Sequence, residues 1–193
     1  MIVIISCLQE TWLAKQQLAG LNNMHVGFHG IGESTTDFNN KMIDGLVPDG
    51  VAILWNTMHE HLITEIRLDV DWAVGILVSG NDKKFAVINV YMPYEATFNE
   101  NEFLQRIWYV KSFIEELPTT SVYVVGDYNA DISDTGSLFS NYLQQFGSDN
   151  DLILSTKNLL QEDSLTFTYE GRLKSFASRI EGIIQHALSM SIS

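Results

Sequence analysis

Runs of apolar, β-forming residues recur along the chain and are separated by polar segments. The runs that predict strands cover residues 1–8, 50–55, 62–68, 73–79, 84–91 and 121–126, and later candidates cover 165–169 and 179–184. Several runs are apolar at consecutive positions, a pattern that is typical of strands covered on both faces. A core built on β-sheets is therefore expected.

Two other segments carry apolar residues at helical spacing. The first covers 101–117, and Pro118 is expected to end it. The second covers 137–146, and the following Gly147 is the predicted C-terminal end. Strands with helices between and outside them predict two packed sheets flanked by helices. The ranges predicted to be loops are 29–49 and 94–100.

Length and composition suit a single domain over residues 1–193. The chain is 46% apolar and 18% charged, which is enough to bury a sizeable core. No apolar run reaches the roughly 18 residues needed to cross a bilayer, and no basic leader precedes the first strand. These features predict an intracellular protein, nuclear or cytoplasmic, without a membrane partner. The single cysteine, Cys7, is predicted to be a buried and inert thiol.

The charge balance restricts the classes of partner. The chain has 24 acidic and 11 basic residues, a formal net charge of −13. Such a chain repels a phosphate backbone, which argues against tight binding to nucleic acid through charge alone. Divalent cations can still bridge carboxylates and phosphates, so phosphodiester chemistry is not excluded.

The stretch VVGDYNAD, residues 124–131, places several hydrogen-bonding groups where a strand ends. Gly126 allows a close turn, Asp127 projects at the strand end, and Asn129 can point the same way. Such a pair suits a site that holds a water and a phosphate oxygen together. Taken alone, the stretch is also an ordinary turn, because Asp, Asn and Gly are common turn residues.

Further polar strand ends accompany it, and together they carry a resemblance. They are CLQETWL (7–13), GVAILW (50–55), INVYMP (88–93), GDYNAD (126–131) and SLTFTYEGRLKSFASRIEGII (164–184). In order and spacing these motifs resemble the endonuclease/exonuclease/phosphatase superfamily, and most closely the endonuclease domain of LINE-type non-LTR retrotransposons. The resemblance implies an α+β fold, a four-layer α/β/β/α sandwich of two mixed β-sheets with outer helices.

The resemblance also implies roles for individual residues. Glu10 corresponds to the metal-binding glutamate and Tyr91 to a tyrosine that contacts phosphate. Asp127 corresponds to the aspartate that orients or deprotonates the attacking water, and Asn129 to its partner at the phosphate. Thr166 matches a position that touches the nucleic-acid backbone. The implied activity is phosphodiester hydrolysis with Mg²⁺, or Mn²⁺ in its place, on nucleic acid, with DNA as the expected substrate.

Each of these residues also has a purely structural interpretation. Glu10 is able to cap the turn after its strand, and Tyr91 beside a proline is able to pack as a half-buried strand-end aromatic. Asp127 and Asn129 are able to form an Asx turn. Thr166 is a common β-former.

The chain departs from the family pattern near both of its ends. The family's first strand, with its site asparagine, has no counterpart before the IVIISCLQET segment, and the family's Ser-Asp-His motif is absent. Glu181 stands where the family has the aspartate of Ser-Arg-Ile-Asp, so this catalytic candidate is displaced by one methylene. A fold truncated at both ends is expected to leave sheet edges that pair in a homodimer.

Two groups of residues are weaker candidates. His59 and His61 are expected on one face of an extended segment, where a solvated surface is favoured over a metal site. The four tryptophans are expected to pack in or at the edge of the core, because no basic cluster surrounds them. They are Trp12, Trp55, Trp72 and Trp108. Two hypotheses follow, a metal-dependent phosphodiesterase and a catalytically degenerate relative that acts as a binding or dimerisation module.

Overall fold

A computed structural model of the chain describes residues 5–39, 50–81, 83–119, 121–130, 134–150 and Leu152. The strands in these residues are β1 (Ile5–Gln9), β2 (Phe28–Glu33), β3 (Val51–Asn56), β4 (Ile63–Ile66), β5 (Ala73–Ser79), β6 (Lys84–Tyr91) and β7 (Val122–Asp127). The α-helices are α1 (Glu100–Glu116) and α2 (Leu138–Asp149). Short 3₁₀ segments cover Lys15–Asn23, Thr57–Leu62 and Thr97–Asn99.

The strands form two sheets. Sheet A has the order β1-β3-β2, and both of its described pairings are antiparallel. Sheet B has the order β4-β5-β6-β7 and is mixed, because β7 runs parallel to β6. The parallel pair needs a crossover connection, and α1 supplies it between β6 and β7.

The main core lies between the two sheets. Alternate residues of each strand point into it, so each sheet contributes one face. Sheet A provides Ile5, Cys7, Val51, Ile53 and Trp55, and sheet B provides Val74, Ile76, Val78, Phe85 and Val87. Cys7 is buried as predicted, and burial raises the pKa of its thiol to about 12.

Helices cover the outer faces. The outer face of sheet B packs against α1 and α2, where Phe103 and Phe139 stack with their ring centroids 4.0 Å apart. The outer face of sheet A is covered near β2 by the 3₁₀ segment Lys15–Asn23, whose Leu21 is buried. The predicted α+β sandwich of two packed sheets flanked by helices is confirmed.

The strand predictions around 50–55, 62–68, 73–79, 84–91 and 121–126 are confirmed, as is the described part of the first run. The prediction of a loop over 29–49 is wrong for its first residues, because Phe28–Glu33 is strand β2. The two glycines of β2 interrupt the run of β-forming residues, so the sequence pattern does not indicate a strand there. A Cβ at Gly30 would lie 2.3 Å from Leu54 Cδ2, and one at Gly32 would lie 2.9 Å from the Val51 carbonyl, so the close packing requires glycine at both positions.

The helix predictions hold with one correction. Helix α1 ends at Glu116, immediately before Leu117 and Pro118, as expected. Helix α2 continues to Asp149, so Gly147 does not end it. Gly147 is buried inside the last turn of the helix.

Some predictions lie outside the described residues. They concern residues 1–4, the candidate strands at 165–169 and 179–184, Thr166 and Glu181. Among the helices that the structure does describe, none is both long and apolar enough to span a bilayer.

Gly126 permits the contact between β6 and β7 close to their C-terminal ends. Its φ is 141°, which side chains rarely adopt, and a Cβ there would lie 1.9 Å from the Val90 carbonyl oxygen. Val90 is the direct partner of Gly126 in the parallel ladder, so the backbone itself blocks any side chain. The next residue of β7, Asp127, depends on this backbone path.

We expect Gly126→Ala to destabilise the fold by about 3 kcal/mol or more, because it combines a strained φ with a backbone clash. Urea unfolding measures the loss. The matched control is Gly20→Ala, since Gly20 is exposed and a Cβ there meets nothing within 4 Å. Equal stabilities for the two variants would contradict the required close approach.

Candidate phosphodiester site

Four predicted site residues lie at or just after the C-terminal ends of three strands. Glu10 follows β1 in sheet A, Tyr91 ends β6 in sheet B, and Asp127 ends the parallel strand β7, with Asn129 two residues further on. Tyr91 and Asp127 are direct partners in the β6–β7 ladder. Because the strands are parallel, both side chains lie at the C-terminal ends of β6 and β7, and these strand ends form one edge of sheet B.

A hydrogen bond joins the two sheets at this edge. The Tyr91 hydroxyl donates to Glu10 Oε1 over 3.0 Å, across 81 residues of sequence. The carboxylate from sheet A and the phenol from sheet B therefore lie in contact. Glu10 and Asp127 are also close enough for the charge of Glu10 to raise the pKa of Asp127.

Asp127 and Asn129 organise the turn after β7. The Asn129 backbone N–H donates to Asp127 Oδ1 over 2.9 Å, which is the Asx turn anticipated as the structural interpretation. The Asn129 side-chain Nδ2 donates to the Met92 carbonyl over 2.8 Å, and the Met92 N–H donates to the Asp127 carbonyl. One hydrogen of the Asn129 amide is thus used to fix the segment after Tyr91.

Two of these residues have left-handed backbone conformations. Glu10 has φ 50° and Asn129 has φ 48°. Asparagine tolerates this region, but glutamate does so at a cost. Backbone strain of this kind concentrates at functional sites, where the surrounding structure holds it in place.

Asn89 and Gln9 were missed as site residues by the sequence reasoning. Asn89 is fully buried, and its Nδ2 donates to the Leu8 carbonyl over 2.8 Å and to the Ala52 carbonyl over 3.0 Å. Gln9 Nε2 donates to Asn89 Oδ1. The pair lies beside the candidate residues, since Gln9 precedes Glu10 and Asn89 is two residues before Tyr91. The signal was an asparagine inside the otherwise apolar run FAVINVY.

Arg106 on α1 was also missed. Its NH1 donates to the Tyr91 carbonyl over 2.5 Å, and its guanidinium lies 5.0 Å from the centroid of the Trp72 ring. It also pairs with Glu102 one helical turn earlier. Arg106 therefore fixes the backbone of Tyr91 from the helical side.

Burial changes the acid–base character of the site. Burial raises the pKa of Asp127, its backbone hydrogen bond from Asn129 opposes that rise, and the charge of Glu10 adds to it. Burial and the hydrogen bond to Glu10 raise the pKa of Tyr91 to about 12. Tyr91 therefore stays protonated and able to donate at neutral pH, while Asp127 holds a proton more strongly than an exposed aspartate.

The donor set of the site resembles the kind that holds Mg²⁺, which is commonly bound by one or two carboxylates together with several waters. Glu10 and Asp127 supply two carboxylates whose charges repel one another, which a cation between them would relieve. Among the residues that the structure describes, no three His, Cys, Asp or Glu side chains group as a metal cage would require. The residues fit a water-rich Mg²⁺ site rather than a structural metal.

The weaker candidates are placed differently from the predictions. His59 and His61 lie in the 3₁₀ segment Thr57–Leu62, so the prediction of an extended segment is wrong. With three residues per turn, positions two apart do not share a face. Trp55 and Trp72 are buried as expected, but Trp12 and Trp108 are 46% and 64% exposed, so the expectation of core packing is wrong for these two.

Several solved structures resemble the chain. They include the endonuclease domain of TRAS1, a telomere-specific non-LTR retrotransposon, at 12% identity and a TM-score of 0.49 over 75% of this chain and 57% of that one. The human Nocturnin catalytic domain matches at 14% identity and 0.45 over 75% and 55%. An endonuclease/exonuclease/phosphatase family protein from Leptotrichia buccalis C-1013-b matches at 13% and 0.43 over 75% and 60%. All three are similar to this chain at identities of only 12–14% and at TM-scores below 0.5.

The chain spans little more than half of the first two structures, 57% of the TRAS1 domain and 55% of the Nocturnin domain. No family model matches the chain, and no curated protein matches it.

We expect Asn89→Ala to reduce the free energy of unfolding by about 2–4 kcal/mol, because it leaves the buried carbonyls of Leu8 and Ala52 without their donor. Urea unfolding measures this loss. Asn23→Ala, at the exposed last residue of the first 3₁₀ segment, is the matched control and should change stability by less than about 0.5 kcal/mol. A small effect at Asn89 would mean that its hydrogen bonds do not hold the sheets together.

We expect the stability effect of Asp127→Asn to depend on pH. The folded-state pKa of Asp127 is raised, so its contribution is most favourable below its ordinary pKa of 3.8 and is lost as the pH rises through the folded-state value. The asparagine keeps the oxygen that accepts from Asn129 and removes the buried charge. The variant should therefore gain stability over the wild type at pH 7 and lose that advantage toward pH 4.

Urea unfolding at the two pH values measures this difference. Asp149→Asn, on the exposed side of α2, controls for the removal of one negative charge from an acidic chain. A gain at Asp127 that is the same at both pH values would contradict the raised pKa.

Proposed function

We propose that the chain is a divalent-metal-dependent phosphodiesterase that nicks nucleic acid, with DNA as its substrate, in the manner of a LINE-type endonuclease. The observation that carries the proposal is the meeting of Glu10 from one sheet with Tyr91, Asp127 and Asn129 from the other. These are the four described residues to which the motif resemblance assigns roles. Their contacts join segments that are far apart in the sequence.

Asp127 is proposed to orient and deprotonate the attacking water. A general base is most useful when its pKa is raised toward the working pH, and burial together with the charge of Glu10 raises the pKa of Asp127. The Asx turn fixes its Oδ1 and so limits the rotation of the carboxylate. The observed turn therefore supports the proposed role as well as the structural one.

Tyr91 and Asn129 are proposed to bind the phosphoryl oxygens. At neutral pH the Tyr91 hydroxyl keeps its hydrogen, which Glu10 accepts in the structure, and the Asn129 amide has a second hydrogen, engaged with Tyr91, besides the one that Met92 accepts. Under the proposal both hydrogens turn to the phosphate when it binds. Donors placed where negative charge develops stabilise the transition state. Arg106 holds the Tyr91 backbone and so helps to position the phenol.

Glu10 is proposed to hold the Mg²⁺, with Mn²⁺ as the alternative ion. When bound, such a cation neutralises charge on the phosphate and on the leaving oxygen. The left-handed backbone at Glu10 turns this residue out of β1 toward the edge of sheet B, where Tyr91 meets it.

Two residues with proposed roles, Thr166 and Glu181, lie outside the described ranges. Glu181 as a fourth catalytic residue and Thr166 as a contact to the nucleic-acid backbone stay predictions. The single domain, the intracellular compartment, the preference for DNA over RNA and the homodimer stay predictions as well.

A second candidate function is a catalytically degenerate module that binds or dimerises without turnover. The net charge of −13 favours it, because an acidic surface opposes capture of a polyanion. Both candidate functions use the same fold and the same four residues. They differ in whether the protein hydrolyses a phosphodiester, and therefore in whether replacing Asp127 lowers a reaction rate.

Plasmid nicking in Mg²⁺ separates the two candidates. We expect Asp127→Ala to reduce the nicking rate by about 100-fold or more, because general bases contribute 10²- to 10⁴-fold. Tyr91→Phe should also slow nicking, since it keeps the ring and removes the donor.

Matched controls are Asp149→Ala and Tyr109→Phe, which make the same chemical changes on the helices α2 and α1. Addition of EDTA should abolish nicking by the wild type. Identical traces for the wild type and Asp127→Ala would rule out the enzyme and leave the binding module.

A further inference from the structure

Two aromatic rings protrude from the loop between β6 and α1. Tyr94 is 58% exposed and Phe98 is 76% exposed, although most large apolar side chains in the described part of the chain are buried or half-buried. The two rings contact each other edge to face, with centroids 5.9 Å apart and planes at 81°. Exposed aromatic pairs of this kind mark binding surfaces more often than isolated exposed rings do.

The loop that carries the rings is fixed at both ends. Asn99 Nδ2 donates to the Tyr94 carbonyl, and the Asn99 N–H donates to the Ala96 carbonyl, both over 2.9 Å. Glu95, between the two rings, accepts from the Ser137 hydroxyl over 2.6 Å and from the Leu138 N–H over 2.8 Å. The first turn of α2 therefore anchors the loop. Rings on an anchored loop lose little conformational freedom when a ligand binds.

The loop begins inside the candidate phosphodiester site. Tyr94 is only three residues after Tyr91, so the two α-carbons are at most about 11 Å apart. Between them, Met92 accepts from the Asn129 side chain and donates to the Asp127 carbonyl. The aromatic pair is therefore within reach, over a few nucleotides, of a ligand whose phosphate lies at Tyr91 and Asp127.

We propose that Tyr94 and Phe98 form a stacking site for an unpaired nucleobase of a nucleic-acid strand whose phosphate occupies the neighbouring candidate site. The inference rests on the proposed function and narrows its substrate to a strand with at least one accessible base face beside the scissile phosphate.

An unpaired base fits this surface better than a duplex does. Within a duplex the faces of the bases are already stacked on one another, whereas an unpaired base offers a free π-face. Stacking on an aromatic ring needs no positive side chain, so it is compatible with an acidic chain. The nearby carboxylates would repel a phosphate rather than bind it, and both accept hydrogen bonds within the protein, Glu95 from Ser137 and Glu100 from Tyr142.

A second copy of this chain is the competing occupant of an exposed aromatic pair. Continuity with the candidate site favours the nucleobase, because the loop leads directly from Tyr91 to the rings and is held in place by Asn129. A contact between copies gives no reason for the pair to be anchored beside Asp127.

The test uses the full chain and an end-labelled oligothymidylate with methylphosphonate linkages. Its backbone is uncharged and is not cleaved as a phosphodiester, so neither repulsion by the net charge nor turnover affects the measurement. An abasic oligomer of the same length and linkage is the comparison ligand. Fluorescence anisotropy gives the two affinities.

We expect the thymidine oligomer to bind and the abasic oligomer to bind far more weakly. Tyr94→Ala and Phe98→Ala should each weaken thymidine binding about 5- to 100-fold, the range measured for loss of one base-stacking ring. Phe98→Tyr should restore binding because it keeps the ring. Trp108→Ala, which removes an equally exposed aromatic from α1, should change nothing. The positions are exposed, so unchanged thermal unfolding verifies that each variant is folded.

Equal binding of the two oligomers would overturn the inference, as would an equal loss in Trp108→Ala. Concentration-dependent association of the chain that Phe98→Ala abolishes, without any effect on thymidine binding, would assign the pair to a second copy. The failure of the proposed function is distinguishable. If plasmid nicking is insensitive to Asp127→Ala while base binding still requires Tyr94 and Phe98, stacking stands and catalysis does not.

Discussion

The hydrogen bonds of one buried amide fix how the two sheets meet. Asn89 lies in the largely buried strand β6 of sheet B and donates to carbonyls of both β1 and β3 in sheet A. Apolar packing between sheets is tolerant of small sliding movements, whereas these bonds specify a single alignment. Gln9 adds a bond to the same amide. Since Gln9 precedes Glu10, and Tyr91 follows Asn89 by two residues, the alignment of the sheets also sets the contact between Glu10 and Tyr91.

The candidate site is locally unfavourable for stability. Two carboxylates lie close enough to repel one another, Asp127 is partly desolvated, and the backbones of Glu10 and Asn129 are left-handed. Each feature costs free energy in the folded state. The well-packed cores on both faces of sheet B offset this cost, so the sandwich can hold groups that isolated segments would not keep together. This division between a stabilising core and a costly edge is common where residues are kept for chemistry.

The sequence predicted most elements, and its errors share a physical cause. Strands and α1 were predictable because their apolar periodicity is strong, and Glu10, Tyr91, Asp127 and Asn129 were proposed as site residues from their motifs. Strand β2 was missed because its glycines are required by contacts with β3 that only the tertiary structure shows. Asn89 was missed because an asparagine in an apolar run gives no indication of its partners. The exposure of Trp12 and Trp108 likewise depends on which helix and strand faces remain uncovered.

The net negative charge of the chain opposes phosphate binding at the candidate site, and the described residues offer two ways to offset this repulsion. Positive side chains are scarce, and Arg106 is already engaged with Trp72, Glu102 and the Tyr91 carbonyl. The remaining sources of affinity are a cation held by carboxylates and a ring that stacks on a base, and neither depends on basic residues. Under the proposed function, a cation held by Glu10 would neutralise carboxylate charge that otherwise repels a polyanion. The acidic balance is thus compatible with phosphodiester chemistry where a cation offsets it.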